Sequence, residues 1–339
     1  MLKVNAYTSW IFASSPRYRI RQLIPYLETE DVFVHDMISK AGTYPPNEKS
    51  KWPAWCITNF FDNISRIITS PPADIYFLQR EMSYPYYTME RFLRHPLVFD
   101  VDDAIFLHKK GIYAKQIAKK ADRIICGNRY LASVFGEWNP SVDIVPTSVN
   151  VAMYDQIHKA ENDHLTILWT GSSSNFRYLY SIEKPLAAIL KKYDTVRLKI
   201  VANIPPAFSI LKEYQYIYKQ WNPAIEYTSV KHADIGLMPI GDDDWSRGKC
   251  SFKMLCYMAA SLPVIVSPYG MNEDVLKEGN IGYGAKTEDD WYTALEDLIL
   301  SRKKASEMGQ NGRNLVLQKY DVNIIAKQLS LIFNTIIHS

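Results

Sequence analysis

The sequence predicts an α/β protein built from two doubly wound, Rossmann-like domains. Short apolar runs alternate with longer amphipathic stretches, the pattern of parallel strands joined by crossover helices. The alternation runs through twice, and the polar stretch 156–164 separates the two runs. The 339 residues are enough to enclose two cores. In the first half, strands are expected at 3–8, 32–35, 75–78, 97–101, 123–126 and 142–145, with helices near 17–29, 54–69, 84–94, 109–120 and 128–137. In the second half, strands fit 166–169, 197–201, 225–227, 235–238 and 264–266. Helices there fit 176–192, 207–217, 251–261, 272–277, 288–300, 302–318 and 321–337. In the last of these, Ile324, Ile325, Leu329, Ile332, Phe333 and Ile336 share one face. Two such sheets facing each other place a ligand crevice at the carboxyl ends of their strands.

Composition narrows the class. Hydrophobic content of 47% and charged content of 22% are ordinary for a globular chain, and a net charge of +3 is too mild to argue for nucleic acid. Cys56, Cys126, Cys250 and Cys256 lack the spacing of a disulfide framework or a zinc site. The start reads as a short strand rather than a signal segment, and no apolar run approaches the ~18 residues of a membrane span. These readings predict a cytoplasmic protein. Dinucleotide, Walker, zinc-protease and nucleophile-elbow motifs are absent, which argues against dehydrogenase, kinase, protease and hydrolase chemistry.

The most informative stretch is Arg247-Gly248-Lys249-Cys250-Ser251-Phe252-Lys253, followed by an apolar helix and the run Leu262-Pro263-Val264-Ile265-Val266. A helix opening on Gly, Lys and Ser offers free N–H groups and a positive dipole end to a diphosphate. Ser251 is expected to cap it, and Arg247, Lys249 and Lys253 add charge. Phe252, Leu255, Cys256 and Ala259 form a buried stripe. Upstream, Gly171 and Ser172 open a loop that lets backbone approach a ligand, with Arg177 in reach of a diphosphate. Gly270 does the same for the N–H groups of Met271 and Asn272. An apolar strand ends in Asp100-Val101-Asp102-Asp103. Taken alone, Asp-x-Asp suits a divalent metal on a nucleotide. Asp100 faces inward on this reading and needs a partner such as Arg123. Ser15, Arg17 and Arg19 sit where the first domain could hold an acceptor phosphate. The basic stretch 108–120 suits an anionic membrane surface or a solvated face.

Segments in the same order resemble glycosyltransferases of family 4 (group 1), which have the two-domain GT-B fold. They are Ala121-Asp122-Arg123-Ile124-Ile125-Cys126-Gly127-Asn128, Val145-Pro146-Thr147-Ser148-Val149-Asn150, Leu168-Trp169-Thr170-Gly171-Ser172, Ala233-Asp234-Ile235-Gly236-Leu237-Met238-Pro239 and the stretch from Arg247. The resemblance implies an acceptor-binding domain at 1–155, a nucleotide-sugar-binding domain at 163–318, and a C-terminal helix, 319–339, crossing back to the first. It implies retaining transfer of a hexose-type sugar from a nucleotide diphosphate sugar to a glycan or lipid-linked glycan in cell-surface polysaccharide biosynthesis. No metal cofactor is required on that scheme, and the enzyme would work in the cytoplasm at the inner face of the membrane, with peripheral contact through 108–120. Lys249, Asp102 and Asp103 become the catalytic candidates, Asp102 and Asp103 standing where many relatives carry a histidine-aspartate pair. One departure matters. The family's paired ribose-binding glutamates fall on Gly248 and Cys256, and a thiol cannot accept two ribose hydroxyls as a carboxylate does. That departure keeps open a sugar-nucleotide epimerase or a non-catalytic nucleotide-sugar binder. The Asp-x-Asp signal keeps open a metal-dependent glycosyltransferase.

Overall fold

The structure is a computed structural model that describes residues 1–84, 89–158 and 163–338. It divides into two compact units. The first holds residues 1–148, the short segment Arg247–Cys250 and the final helix Val322–His338. The second holds Val149–Ser246 and Ser251–Asp321. Among the described residues, no helix is long and apolar enough to cross a membrane.

The first unit is a parallel sheet of β1 (Leu2–Thr8), β2 (Val32–Ile38), β3 (Ile75–Gln79), β4 (Leu97–Val101), β5 (Arg123–Cys126) and β6 (Val142–Ile144), in the order β2-β1-β3-β4-β5-β6. All residues of β3 and β4 are buried, as expected where helices cover both faces of a sheet. Val4, Ile75, Phe77 and Val98 pack against Ile325, Leu329 and Phe333 of the final helix. The Phe77 and Phe333 rings meet edge to face at 6.0 Å. The order reverses between β1 and β3, which makes their carboxyl ends a natural crevice.

The second unit repeats the plan with β7 (Leu165–Thr170), β8 (Val196–Ala202), β9 (Tyr216–Gln220), β10 (Ile235–Met238), β11 (Val264–Val266) and β12 (Gly282–Gly284), ordered β12-β11-β10-β7-β8-β9. Here the reversal falls between β7 and β10.

Several sequence expectations are corrected. The strand expected at 225–227 is helical, because Asn222 caps a turn led by Pro223 that runs into the helix Glu226–Lys231. Instead β9 occupies 216–220, where the expected helix 207–217 ends. The stretch 17–29 breaks into three short helical pieces, the last with Pro25 in its first turn. Of the helix expected at 84–94, residues 85–88 lie outside the described residues, and the remainder holds only the 3-10 turn Glu90–Phe92. Residues 159–162 of the expected linker also lie outside them.

The partner of Asp100 is Arg19, not Arg123, which pairs with Asp143. The Arg19 fork donates from Nε to Asp100 Oδ2 at 3.1 Å and from Nη2 to Oδ1, and Nη1 donates to the Val145 carbonyl at 2.6 Å. Both side chains are about 98–99% buried. Burial opposes the Arg19 charge, but Asp100 outweighs it and raises the guanidinium pKa. Removing one member of such a pair strands a buried charge and costs about 3–5 kcal/mol. Arg19→Met should therefore lose stability of that order in urea unfolding. Adding Asp100→Leu to it should recover most of the loss, and a single variant as stable as wild type would contradict the pairing.

Candidate functional site

In the first unit, a cavity of about 420 Å³ opens at the carboxyl ends of β1, β2 and β3, where the strand order reverses. Ser9, Trp10, Ser15, Lys40, Tyr44 and Arg80 line it. Arg80 directly follows β3 with φ +62°, a left-handed conformation that is costly for a residue with a Cβ and concentrates at functional sites. Its N–H donates to the Asp100 carbonyl at 2.9 Å, and Nη2 donates to the Tyr44 hydroxyl. Nη1 lies 3.7 Å from Asp103 Oδ2, while buried Nε makes no hydrogen bond. The sequence reading passed over Arg80, Lys40 and Tyr44. A charged residue closing the apolar run 75–78 was the available signal.

Asp102 and Asp103 stand at the end of β4 beside this cavity's Gln79 and Arg80. Asp102 accepts from Gln79 Nε2 at 3.3 Å. Asp103 is mostly buried, and burial raises its carboxyl pKa even though Arg80 and Lys249 pull it down. Of the expected acceptor residues, Ser15 lines the cavity, and Arg17 stacks on the Tyr18 ring at 4.8 Å. Arg19 does neither. It is committed to Asp100 inside the unit, so the expectation that it meets a ligand is overturned.

The segment Arg247–Cys250 is held by this same unit. Asn128 caps the helix Arg129–Gly136 through the Leu131 N–H, and its Nδ2 donates to the carbonyls of Arg247 at 3.1 Å and Lys249 at 3.0 Å. The Cys250 thiol donates to the Asp102 carbonyl at 3.2 Å. Two glycines make room for this packing. A Cβ on Gly127 would stand 2.2 Å from Cys250 Sγ, and one on Gly248 would meet Ala104 Cβ at 2.6 Å. Lys249 is thereby brought into electrostatic reach of Asp103.

In the second unit, the loop after β7 carries Gly171 and Ser172. Gly171 has a packing reason of its own: a Cβ there would lie 2.7 Å from the Trp169 indole. Arg177 is exposed, with its guanidinium 4.6 Å over the Tyr178 ring and Nη2 donating to the Tyr178 hydroxyl. That hydroxyl meets Asp243 Oδ2 at 3.2 Å and Ser246 Oγ at 2.9 Å. Burial pulls the Asp243 carboxyl up, but Ser246, Tyr178 and Arg177 outweigh it and hold it below the usual aspartate range. These contacts join the short helix Phe176–Tyr180 that follows β7 to the segment after β10, the two strands flanking the reversal.

Ser251 departs from expectation. It takes φ +50° at the start of the helix Phe252–Ala259 and makes no side-chain cap; its hydroxyl donates to Asn272 Oδ1 at 2.7 Å instead. Asn272 in turn donates to the Ser267 carbonyl at 3.0 Å, so its buried side chain is a brace between two loops. Gly270, at φ +54°, begins the helix Met271–Leu276, and Met271 is buried. Lys253 lies 5.4 Å over the Phe252 ring. The helix Phe252–Ala259 is apolar on nearly every side rather than along one stripe. Cys256 is buried within the second unit, close to the fully buried Tyr154.

Asn128→Asp keeps the helix cap but cannot donate to the Arg247 and Lys249 carbonyls. It also sets a buried carboxylate against those two carbonyls, so it should lose more thermal stability than Asn128→Ala, whose missing cap costs about 1 kcal/mol. Both variants should nevertheless weaken anion binding at Lys249 alike. Equal melting points with unchanged nucleotide affinity would contradict the clamp.

No family model and no curated protein matches the chain. Solved structures do. Sucrose-phosphate synthase from Thermosynechococcus elongatus superposes with a TM-score of 0.70 at 12% identity, covering 99% of each chain. HepE from Anabaena, solved with UDP and glucose, gives 0.71 at 12% identity over 99% of this chain and all of its own. WaaG, a glycosyltransferase involved in lipopolysaccharide biosynthesis, gives 0.64 at 12% identity over 97% of this chain and 99% of its own. At such identities the likeness establishes the fold, and the fold is GT-B.

Proposed function

We propose that the protein is a retaining glycosyltransferase that moves a hexose-type sugar from a nucleotide diphosphate, with a uridine nucleotide as the first donor to test, to a glycan or lipid-linked glycan. The observation that carries this reading is the grouping of Lys249, Arg80, Asp102 and Asp103 at the carboxyl ends of β3 and β4, with the cavity opening beside Arg80. HepE, which shares the fold, was solved with UDP and glucose, and WaaG is a glycosyltransferase.

The costly event in such a reaction is departure of the nucleotide diphosphate as the sugar becomes oxocarbenium-like. A cation held in place before the reaction stabilises the charge that grows on the leaving group. Lys249 takes that role, with Arg177, Arg247, Lys253 and backbone N–H groups near Ser251, Gly270 and Met271 assigned to the donor. Asp103, its carboxylate facing Arg80 and Lys249, orients the acceptor hydroxyl or the sugar, and Asp102 supports it through Gln79. Ser15, Lys40, Tyr44 and Arg80 are assigned to the acceptor. The scheme routes no step through a metal. Both oxygens of Asp100 are taken by Arg19, which leaves Asp100-x-Asp102 without its first metal ligand. The four cysteines are free, which fits a reducing cytoplasm. The stretch 108–120 turns Ala114, Ile117 and Ala118 inward and leaves Ile112 exposed beside its lysines.

A second reading, a sugar-nucleotide epimerase or a non-catalytic binder, is favoured by Cys256. Buried near Tyr154, it leaves the family's ribose-binding carboxylate without a counterpart at that position. Hydrolysis and transfer from a panel of nucleotide hexoses separate these readings, alongside the melting temperature with each nucleoside diphosphate. Lys249→Ala should cut turnover about a hundredfold, on the order of 3 kcal/mol, and disturb folding far less. Activity should persist in chelator. Wild-type turnover in Lys249→Ala removes the transferase mechanism, and ligand-induced stabilisation without turnover selects the binder.

A further inference from the structure

The helix Trp52–Thr69 is inside out. A helix on a globular surface normally turns its apolar stripe to the core. This one buries Asn59, Asn63 and Arg66. Asn59 donates to the Gly42 carbonyl at 2.8 Å and Asn63 to Ser83 Oγ at 3.1 Å. Arg66 donates from Nε to the Met37 carbonyl at 2.8 Å and from Nη2 to the Thr8 carbonyl at 2.9 Å. These polar contacts fix the helix to the ends of β1 and β2. With 3.6 residues per turn, Ile57, Phe60, Phe61, Ile64 and Ile68 fall on the opposite arc. Ile57, Phe61 and Ile68 are 61%, 62% and 73% exposed. The helix carries no charge on that arc. Its two charged residues both point inward, Arg66 as described and Asp62 to Ser39 Oγ and the Lys40 N–H.

Two further features of the first unit lie near this helix. Trp10, Ile11 and Phe12 are each about half exposed or more, and the Trp10 ring packs on Gly42, whose carbonyl Asn59 holds. Lys40, Lys49 and Lys51 are exposed ahead of the helix; Glu48 pairs with Lys51 at 2.8 Å, and Asp62 accepts from the Lys40 N–H at 3.0 Å.

We propose that this face seats the protein on the surface of an anionic lipid bilayer. Uncharged Phe, Ile and Trp side chains flanked by unbalanced lysines are the chemistry that lies at a headgroup boundary, with the helix in the plane of the membrane. A second copy of the chain on the same face would set those lysines against each other, because Glu48 already pairs with Lys51 and Asp62 is turned to Ser39 and the Lys40 N–H. The contact thus moves from the basic stretch 108–120, where Ala114, Ile117 and Ala118 face inward and Ile112 is exposed, to a surface with more apolar side chains to insert. It does not depend on the transferase reading, because its test reads binding rather than turnover.

Cys56 lies on this helix and is exposed, while Cys126, Cys250 and Cys256 are buried, so an environment-sensitive fluorophore on the native chain reports at one place. Vesicles of phosphatidylcholine, alone or mixed with phosphatidylglycerol, are added, and flotation is measured in parallel. The expected result is flotation and a blue shift with the anionic vesicles. Both should weaken about tenfold or more in Phe61→Ser/Ile68→Ser at unchanged melting temperature. Lys49→Glu/Lys51→Glu should weaken them too. The proposal is overturned by the absence of binding to either vesicle, or by binding that the Phe61 and Ile68 changes leave intact. It is equally overturned by a concentration-dependent dimer that needs Phe61 and Ile68, since a second copy would then cover the face.

Discussion

A carboxylate in the middle of a parallel sheet, sealed from water on both faces, must be paired or it cannot stay ionised. Asp100 is in that position on β4, and Arg19 answers it with a two-pronged contact while also holding the Val145 carbonyl. One side chain thus ties the first helix, the central strand and the exit from β6 together. The arrangement also sets where β4 ends and where Asp102 and Asp103 emerge. The Arg80 backbone hydrogen-bonds to the Asp100 carbonyl, so the cation at the end of β3 is fixed by the same residue.

Around that centre, small residues decide what can approach. Gly127 and Gly248 remove the two Cβ atoms that would keep Arg247–Cys250 away from β4 and β5, and Asn128 grips the segment by two carbonyls. The result is a lysine in electrostatic reach of the mostly buried Asp103 carboxylate, where its charge offsets part of the burial that raises the carboxyl pKa. The second unit uses different means to a similar end. Tyr178 gathers Arg177, Asp243 and Ser246, and Asn272 braces Ser251 against Ser267.

Much of the fold was legible in the sequence because buried parallel strands are short apolar runs with little ambiguity, as at 75–78 and 264–266. The stripe of Ile325, Leu329 and Phe333 likewise announced a helix with one face to bury. What escaped was set by tertiary context. Gly282-Tyr283-Gly284 pairs with β11 as an edge strand with no β-branched run to betray it. Asn222-Pro223 turned an apolar triplet into helix. Asp102, Asp103 and Lys249, which the fold brings near one another, stand out in the sequence as charged residues after an apolar strand or before a helix. Arg19 was misjudged, since nothing local distinguishes an arginine that enters the core from one that meets a ligand. Ser251 was misread because the pattern that suggests a cap does not report a left-handed backbone. The helix expected at 54–69 forms over 52–69, but its orientation was not legible, because periodicity reveals an apolar face without saying which side the protein occupies.

The central claim is that the end of β4 and the segment 247–250 form one electrostatic unit, with Lys249 acting on Asp103. Carbon-13 NMR titration of the Asp103 side-chain carboxyl tests this directly, in wild type and in Lys249→Met. The account predicts a pKa above the ordinary aspartate value in wild type, because burial dominates, and a further rise when the lysine charge is removed. An Asp103 titration that does not move when Lys249 is neutralised would contradict it.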